Sequence, residues 1–394
     1  MLFIRSMKLM KKLFFTCTLI LNLFQVSAQG PLDVITTAVP FLQIAADARA
    51  AGMGEMGVAT SPDVYSAQWN PAKLPFYSEE YSVGISYTPY LVELANDIAL
   101  MQLNYTQRIN ERSAVSANLI YFSLGQVELR EDLNSPVVPV RPNEFAFNAH
   151  YSLKLSERFA MAVGGKFIRS QLRFPSAEGD ATAASSFAFD IAGYYQSEEI
   201  PYSDFSGRWR LGFNLQNMGP KLSYDNDRNP INASNLPTNF KFGGGFDFIF
   251  DEYNKVSLNS EFNKLMVPTP NGYLNPDGSF DRDGYKAVGW LQGMFSSFGD
   301  AQGGFAEELR EITWALGAEY MYQDAFAFRA GYFNESETKG ARQFITIGAG
   351  FKYNVVKLDV SYLFGASKVR NPLENTLRFS LTLNFGDKDK YVEY

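Results

Sequence analysis

The chain offers few residues of the kinds that carry out chemistry. Its 394 residues include one Cys, at position 17, and one His, at position 150. Paired Cys and His side chains for catalysis, or a set of them around zinc, are therefore excluded. A Ser-His-Asp arrangement would have to use His150, and no Gly-x-Ser-x-Gly sequence supports one. We therefore expect no enzymatic activity, no catalytic residues, no cofactor and no metal site built from Cys or His, and we expect His150 to be a polar interior residue. A calcium site in the oxygen-rich loops stays open.

The sequence contains the spacing of one phosphate-binding motif, but not the secondary structure that should surround it. Gly52, Gly54 and Gly57 have the spacing of a dinucleotide fingerprint. That motif follows a strand and opens a helix within a βαβ unit. Here it follows the Ala-rich, helix-prone stretch 44–51. The context favours a compact turn-rich segment over a nucleotide site.

Composition narrows the class of protein further. The chain is 46% hydrophobic, 15% aromatic and 20% charged, with a formal net charge of −7. These proportions exclude intrinsic disorder and a coiled coil, and the negative charge argues against a nucleic-acid partner.

Lys8, Lys11 and Lys12 precede an apolar run from Leu13 to Phe24, and a small-residue cleavage pattern ends at Ala28. Residues 1–28 are therefore predicted to be a secretory signal peptide.

The remainder alternates between apolar and polar residues with a period of two. In the clearest example, Leu377, Phe379 and Leu381 alternate with polar residues. Successive strand residues face opposite sides of a sheet, so each segment has one apolar and one polar face. The pattern predicts about fourteen strands, with approximate spans 81–88, 97–107, 113–122, 143–154, 157–172, 185–197, 208–218, 238–249, 254–264, 312–322, 325–333, 342–353, 355–364 and 376–385.

Two features favour a transmembrane barrel over a soluble sandwich. The apolar faces are heavily aromatic on nearly every strand, and the connections alternate between long and short. Short periplasmic turns and long extracellular loops are typical of outer-membrane barrels. We therefore predict an all-β outer-membrane barrel of about fourteen antiparallel strands over residues 81–386, with both termini in the periplasm. Residues 387–394 are predicted to be a charged periplasmic tail.

Charged residues on the polar strand faces are expected to lie in the lumen, because a charge facing lipid is costly. Their mixed signs favour mutual pairing over a selective ion channel. These residues are Lys166, Asp190, Arg208, Arg210, Lys241, Asp247, Glu261, Glu319, Arg329, Lys352, Asp359 and Arg378.

Residues 29–80 are unlike the barrel wall, because turn-forming Gly and Pro residues are frequent in them. We interpret this stretch as a hatch inside the barrel. Three blocks in it, Val39–Leu42, Ala46–Gly54 and Trp69–Leu74, resemble the PorV family of the type IX secretion system of Bacteroidetes. The Asn70-Pro71-Ala72 element followed by fourteen strands is shared more widely with FadL-type transporters. The resemblance implies an outer-membrane barrel whose hatch includes Asn70, Pro71 and Ala72.

The resemblance also implies function and partners. It suggests a non-enzymatic partner of the type IX translocon barrel, set among membrane lipids and lipopolysaccharide. It further suggests binding of secreted proteins with C-terminal sorting domains, which are passed to surface attachment proteins. Two alternatives stay open: a FadL-like channel for uptake of hydrophobic small molecules, and an outer-membrane enzyme that uses His150 or carboxylates.

The long connection 265–311 is the candidate surface for a protein partner. Trp290, Phe295 and Phe298 lie in it and are candidate anchors, since exposed aromatic residues are enriched in binding surfaces. The competing interpretation is that the loop folds back as a lid and buries these side chains on the barrel mouth.

Overall fold

The computed structural model describes residues 34–93, 95–130, 136–172, 183–224, 233–275, 280–367 and 371–386. The predicted signal peptide and the predicted C-terminal tail lie outside these residues. Fourteen long strands are present in the described parts. They are β1 (Tyr81–Pro89), β2 (Ile98–Arg108), β3 (Ser113–Leu124), β4 (Asn143–Lys154), β5 (Phe159–Gln171), β6 (Ala184–Gln196), β7 (Ser206–Met218), β8 (Asn239–Ile249), β9 (Asn254–Leu265), β10 (Ile312–Tyr322), β11 (Phe326–Asn334), β12 (Gln343–Tyr353), β13 (Val356–Gly365) and β14 (Leu377–Phe385).

The strands form a closed antiparallel barrel. Each strand pairs with the next along the chain, and β1 also pairs with β14, from Tyr81 opposite Phe385 to Tyr87 opposite Phe379. Closure leaves no strand edge with unpaired backbone groups facing lipid. The prediction of an all-β barrel with fourteen strands is confirmed.

The connections differ at the two ends of the barrel. Those that follow even-numbered strands span 109–112, 155–158, 197–205, 250–253, 323–325 and 354–355, and we call this the short-turn end. Those that follow odd-numbered strands span 90–97, 125–142, 172–183, 219–238, 266–311, 335–342 and 366–376, and we call this the long-loop end. This alternation is characteristic of outer-membrane barrels.

Several connections contain structure of their own. The connection 125–142 includes a small hairpin of Val127–Leu129 and Val138–Val140, and a two-residue strand, Ile200–Pro201, pairs with β7. The connection 266–311 includes the helices Arg282–Ala287, Trp290–Ser296 and Phe305–Glu308, together with 3₁₀ turns at Pro270–Gly272 and Leu309–Glu311. In the described residues, no helix has the length and apolar character needed to cross a membrane.

The two faces of the wall differ as the alternation requires. On β6, Phe187 and Phe189 point outward and are 62% and 61% exposed, whereas Ala188 and Asp190 between and beside them are buried. Outward aromatic rings suit a lipid environment, and each charge kept inward avoids a cost of roughly 2–4 kcal/mol at the bilayer midplane.

Residues 34–80 are enclosed by the barrel, and we call them the inner segment. Their helical elements are short: Pro40–Gln43, Ala48–Ala51, Ser66–Trp69 and Pro71–Phe76. They contact the ring at several points, including the Thr88 hydroxyl on β1, the backbone carbonyl of Gly193 on β6 and the Ser380 hydroxyl on β14. The helix-prone stretch 44–51 is helical only in its last four residues, because Asp47 begins the helix as its N-cap.

Candidate functional site

The inner segment is organised around Asp47. Its Oδ1 accepts a hydrogen bond of 2.8 Å from the backbone N–H of Ala50 and caps a helix. Its Oδ2 accepts a bond of 2.7 Å from the indole Nε1 of Trp69. Burial, with the nearby carboxylate of Asp63, raises the pKa of Asp47 to about 6. One side chain therefore joins two motifs of the segment, the Ala-rich block and the Trp-Asn-Pro element.

Arg49 connects the inner segment to the wall at β10. Its Nε and Nη2 donate to the two carboxylate oxygens of Glu319 on β10, at 3.0 and 2.9 Å. Its Nη1 lies 2.7 Å from Asp63 within the segment. Glu319 also accepts from Arg329, which in turn donates to Asp359. Because these groups are buried, each needs its partner, and the network fixes the position of the segment.

The predicted hatch residues Asn70, Pro71 and Ala72 are all buried inside the barrel. The Asn70 amide donates to the carbonyls of Val58 and Gly193, at 2.8 and 3.0 Å, and its Oδ1 accepts from the N–H of Ala72. The Ser152 hydroxyl donates to the Pro71 carbonyl at 2.7 Å. The three residues thus lie against the wall, with hydrogen bonds to β4 and β6.

Lys73 follows this element and is almost fully buried. Its Nζ donates to the carbonyl of Gly57 at 2.6 Å and to the Thr60 hydroxyl at 3.1 Å. Desolvation by burial lowers the pKa of Lys73 to about 8, although Asp63 opposes this shift.

The glycines of the fingerprint-like sequence have a packing role. A side chain at Gly54 would approach the Tyr332 backbone of β11 to 2.9 Å, and Gly54 has a φ of +79°. A side chain at Gly57 would overlap the Trp69 ring. These positions need glycine because the segment lies directly against the wall and against itself.

His150 belongs to a buried polar cluster that sequence reasoning did not anticipate. Its ring nitrogens lie 3.3 Å from Ser116 Oγ and 3.3 Å from Asp190 Oδ2. Asp190 is also 3.3 Å from Lys166 Nζ and accepts from the Asn217 N–H. Although Ser116, His150 and Asp190 have the composition of a catalytic triad, all three are buried, and none lines the cavity of about 680 Å³ at the long-loop end. Among the described residues, no three His, Cys, Asp or Glu side chains are placed to hold a metal ion together.

The charges predicted for the lumen lie there, mostly in pairs. Arg210 donates to Asp247, Arg378 to Glu55 and Lys352 to Glu79. Lys241 differs: its Nζ lies 4.4 Å from the centre of the Trp69 ring, and within the described ranges it forms no salt bridge.

The candidate partner loop is a folded structure with an exposed apolar surface. Phe295 and Phe298 are 66% and 54% exposed, and Trp290 is half-buried. Phe305, which sequence reasoning did not single out, is 78% exposed. Exposure of Phe295 and Phe298 argues against the interpretation that the loop buries these rings on the barrel mouth. The signal for Phe305 was its place in the same long connection.

Polar contacts at the base hold this loop against the barrel. Lys264 of β9 pairs with Glu308 and Glu311, and Lys339 of the next long loop pairs with Glu307 and Glu311. The exposed rings are therefore presented on an anchored support.

Several solved structures align with most of this chain. The TodX deltaS2S3 mutant monoaromatic hydrocarbon channel aligns with a TM-score of 0.51 and 12% identity, over 86% of this chain and 98% of that chain. The CymD monoaromatic hydrocarbon channel aligns with a TM-score of 0.50 and 12% identity, over 88% and 99%. A FadL homologue of Pseudomonas aeruginosa aligns with a TM-score of 0.46 and 13% identity, over 91% and 100%. At these identities the TodX and CymD alignments show a shared fold alone.

No curated protein sequence matches the chain. Residues 27–272 match the family described as type IX secretion system protein PorV. The matched region includes the inner segment, with Asp47, Trp69 and Asn70, and strands β1 to β9 of the wall. Since it covers more than half of the sequence, the chain is an outer-membrane β-barrel component of the type IX secretion system and belongs to the PorV family.

Proposed function

We propose that this protein is a non-enzymatic adaptor that binds the translocon barrel or secreted proteins with C-terminal sorting domains at its long-loop end. It then passes the cargo to attachment proteins at the cell surface. The observation that supports this proposal is the apolar surface on the connection 266–311, where Phe295, Phe298 and Phe305 are exposed on an anchored base. Outward aromatic residues on the strands would contact lipid and lipopolysaccharide.

The absence of catalysis is part of the same proposal. Ser116, His150 and Asp190 are each at most 5% exposed. A nucleophile needs room for a substrate beside it. In this arrangement the hydrogen bonds of His150 instead join three strands of the wall.

The test is affinity capture from native membranes. A variant with Trp290→Ser, Phe295→Ser and Phe298→Ser should lose most of the captured translocon or cargo, since central aromatic anchors contribute about 2 kcal/mol or more each. A second variant carries Phe295→Ser, Phe298→Ser and Phe305→Ser and keeps the half-buried Trp290. The matched control carries Val127→Ser, Leu129→Ser and Val138→Ser in the small hairpin at the same end. Heat-modifiable gel mobility reports whether each variant folds. Undiminished capture by both folded loop variants would refute a binding role for this loop.

A channel for hydrophobic small molecules is the second candidate. A cavity of about 680 Å³ at the long-loop end, partly lined by Phe41, Phe122 and Phe333, favours ligand binding. Transport would also require passage beyond the inner segment. Uptake of a radiolabelled aromatic hydrocarbon by cells with and without the protein distinguishes the two candidates, since an adaptor should leave uptake unchanged.

A further inference from the structure

The outward faces of the fourteen described strands are almost free of charge. From their alternation and register, the only charged residues at outward positions are Lys264 of β9 and Arg169 of β5. Lys264 is only 6% exposed, because the connection 266–311 covers it and supplies Glu308 and Glu311 as partners. Arg169 is therefore the one charged residue of these strands that remains exposed on the lipid-facing side.

The register of β5 fixes the direction of Arg169. It lies opposite Phe145 of β4 and Ser185 of β6, and paired residues of a ladder share a face of the sheet. Its neighbours Ile168 and Ser170 are 0% exposed and face the lumen. Within the described ranges, the side chain of Arg169 forms no salt bridge or hydrogen bond. A guanidinium group on the lipid-facing side without a protein partner favours an anion that the membrane supplies.

Arg169 lies at the depth where lipid headgroups begin. Strand β5 spans Phe159–Gln171 with Gly165 at its middle, so Arg169 is four residues nearer the long-loop end. A rise of about 3.3 Å per residue and a tilt of about 40° put it roughly 10 Å from the middle of the strand along the membrane normal. The apolar band of such barrels is about 25 Å tall, and an arginine side chain extends its charged end toward the interface. The guanidinium group therefore reaches the headgroup layer.

Uncharged polar side chains form a row around Arg169. Asn143 of β4 lies opposite Gln171, at the next outward position toward the long-loop end, and Ser185 of β6 lies beside Arg169. Gln171 and Ser185 are exposed. The Nδ2 of Asn143 donates to the carbonyl of Arg141 at 3.1 Å, which leaves its Oδ1 as an acceptor. The row covers three adjacent strands, about 10 Å across, and this width suits a sugar headgroup better than a single glycerol phosphate.

Aromatic rings lie beside and below this row. Phe145 is beside Arg169, and Phe167 and Phe187 are one outward position nearer the short-turn end. The centre of the Phe167 ring lies 6.1 Å from that of Phe145 and 5.3 Å from that of Phe187. Apolar rings at this depth would contact acyl chains. The surface therefore has a polar part and an apolar part in the same order as a membrane lipid.

The charge of this surface favours an anionic headgroup. A guanidinium group binds phosphate through two parallel N–H bonds. Arg141, at the approach to β4, is exposed and adds a second cation. The acid in this part of β4, Glu144, is only 1% exposed and faces the lumen. Because the long loops of outer-membrane barrels are extracellular, the lipid that meets this surface is the phosphorylated glycolipid of the outer leaflet.

We propose that the outer surface of β4, β5 and β6 binds one molecule of lipopolysaccharide through a phosphate group of its lipid A part. Arg169 holds the phosphate, and the aromatic rings contact the acyl chains. Asn143, Gln171 and Ser185 form hydrogen bonds with the sugars. The site gives a specific place to the lipopolysaccharide contact of the proposed function, and it rests on the outward orientation of the long-loop end in that proposal.

The test uses the full protein in detergent and native mass spectrometry. The probes are diphosphoryl lipid A, the same lipid A without its phosphates, and phosphatidylglycerol, in equal amounts. The parent should retain diphosphoryl lipid A about tenfold more than the dephosphorylated form, as expected for one charge-assisted pair. Arg169→Gln should bring the two forms close to equal retention, and Arg169→Lys should keep part of the preference. Arg158→Gln, next to the short-turn end of the same strand, is the matched control.

Equal retention of the phosphorylated and dephosphorylated forms by the parent would overturn the proposal, even if Arg169→Gln failed to fold. An unchanged preference in Arg169→Gln, with folding checked by heat-modifiable gel mobility, would also overturn it. Retention of phosphatidylglycerol that equals that of lipid A and depends on Arg169 would overturn the glycolipid assignment. Displacement of lipid A by inorganic phosphate would assign the site to the free ion instead. Because only purified protein and lipid are present, a failure here is distinguishable from a failure of the capture experiment on the loop.

Discussion

Two buried cations of the inner segment illustrate opposite solutions to the cost of burying charge. Arg49 is matched by Glu319 and Asp63, and Glu319 holds its pKa well above the usual value. Lys73 has only neutral oxygen partners within hydrogen-bond distance. Removal of one partner of a buried ion pair leaves the other charge uncompensated, whereas a buried amine can lose its proton.

Lys73 should therefore make stability depend on pH. Its folded-state pKa of about 8 lies below the usual lysine pKa of 10.5. Below pH 8 Lys73 is protonated in both the folded and unfolded states, and the burial cost is fully present. Between pH 8 and 10.5 the folded state releases the proton while the unfolded state keeps it, so stability rises with pH, by about 3 kcal/mol at most.

The measurement compares the parent with Lys73→Met, using urea unfolding followed by gel mobility at pH 7.5 and pH 10. Relative to the parent, the variant should gain the most stability at pH 7.5 and little at pH 10. Lys255→Met controls for the loss of a lysine. An equal change in stability at both pH values would show that Lys73 does not titrate in this window.

At the level of residues, the sequence predicted which face of a strand a side chain lies on better than which residue it pairs with. Alternation alone predicted that Glu319 and Lys241 face the lumen, because lipid excludes charge from the other face. It could not predict that Glu319 pairs with Arg49, which lies 270 positions away in the sequence, or that Lys241 lies over the ring of Trp69. Those outcomes depend on how the inner segment is positioned within the closed ring.

The strands could be predicted from the sequence because one face of each strand points to lipid and the other to the lumen. The predicted span 143–154 coincides with β4, and 312–322 coincides with β10. The hairpin in 125–142 and the helices in 266–311 were not predicted, because segments this short have too few residues to show a periodicity. The prediction of domain boundaries at 28, 80 and 386 stays a prediction.

The fit between the inner segment and the wall should fail when a glycine at the contact gains a side chain. A Cβ at Gly331 of β11 would lie 2.1 Å from the backbone N of Gly54. Backbone atoms cannot give way as a flexible side chain can, so Gly331→Ala should displace the segment and destabilise the protein by about 1–3 kcal/mol. Gly165→Ala on β5 is the matched control, since a Cβ there has no neighbour within 4 Å.

Thermal unfolding by gel mobility and limited proteolysis of the native protein in detergent measure this effect. Gly331→Ala should lower the transition temperature and expose the inner segment to cleavage, whereas Gly165→Ala should behave as the parent. Parental stability and protease resistance in Gly331→Ala would show that the contact is looser than the structure implies.

For the whole molecule, the enclosed inner segment should prevent ion flow. Asn70 and Arg49 attach it to two separate parts of the wall, at β6 and at β10. The unmodified protein in a planar bilayer should show no stable open channel. The double variant Arg49→Ala and Asn70→Ala removes both attachments and should produce fluctuating conductance. A large constant conductance in the parent would contradict the interpretation of residues 29–80 as a hatch.

The orientation of the barrel in the membrane is also a property of the whole molecule. Because long loops of outer-membrane barrels are extracellular, the connection 266–311 should face outward and the turn 250–253 should face the periplasm. Val34 lines the cavity at the long-loop end, and Gly386 lies at the short-turn end. The prediction that both termini are periplasmic concerns residues outside the described ranges.

Cysteine labelling tests this orientation directly, because the sequence has a single Cys, within the predicted signal peptide. Gly289→Cys places a thiol in the long connection, where no atom lies within 4 Å of the added Cβ, and Glu252→Cys places one in an exposed short turn. On intact cells a membrane-impermeant maleimide should label position 289 and not 252, and after lysis it should label both. The opposite pattern on intact cells would invert the barrel and move the proposed binding loop to the periplasm, where it could not meet cargo at the cell surface.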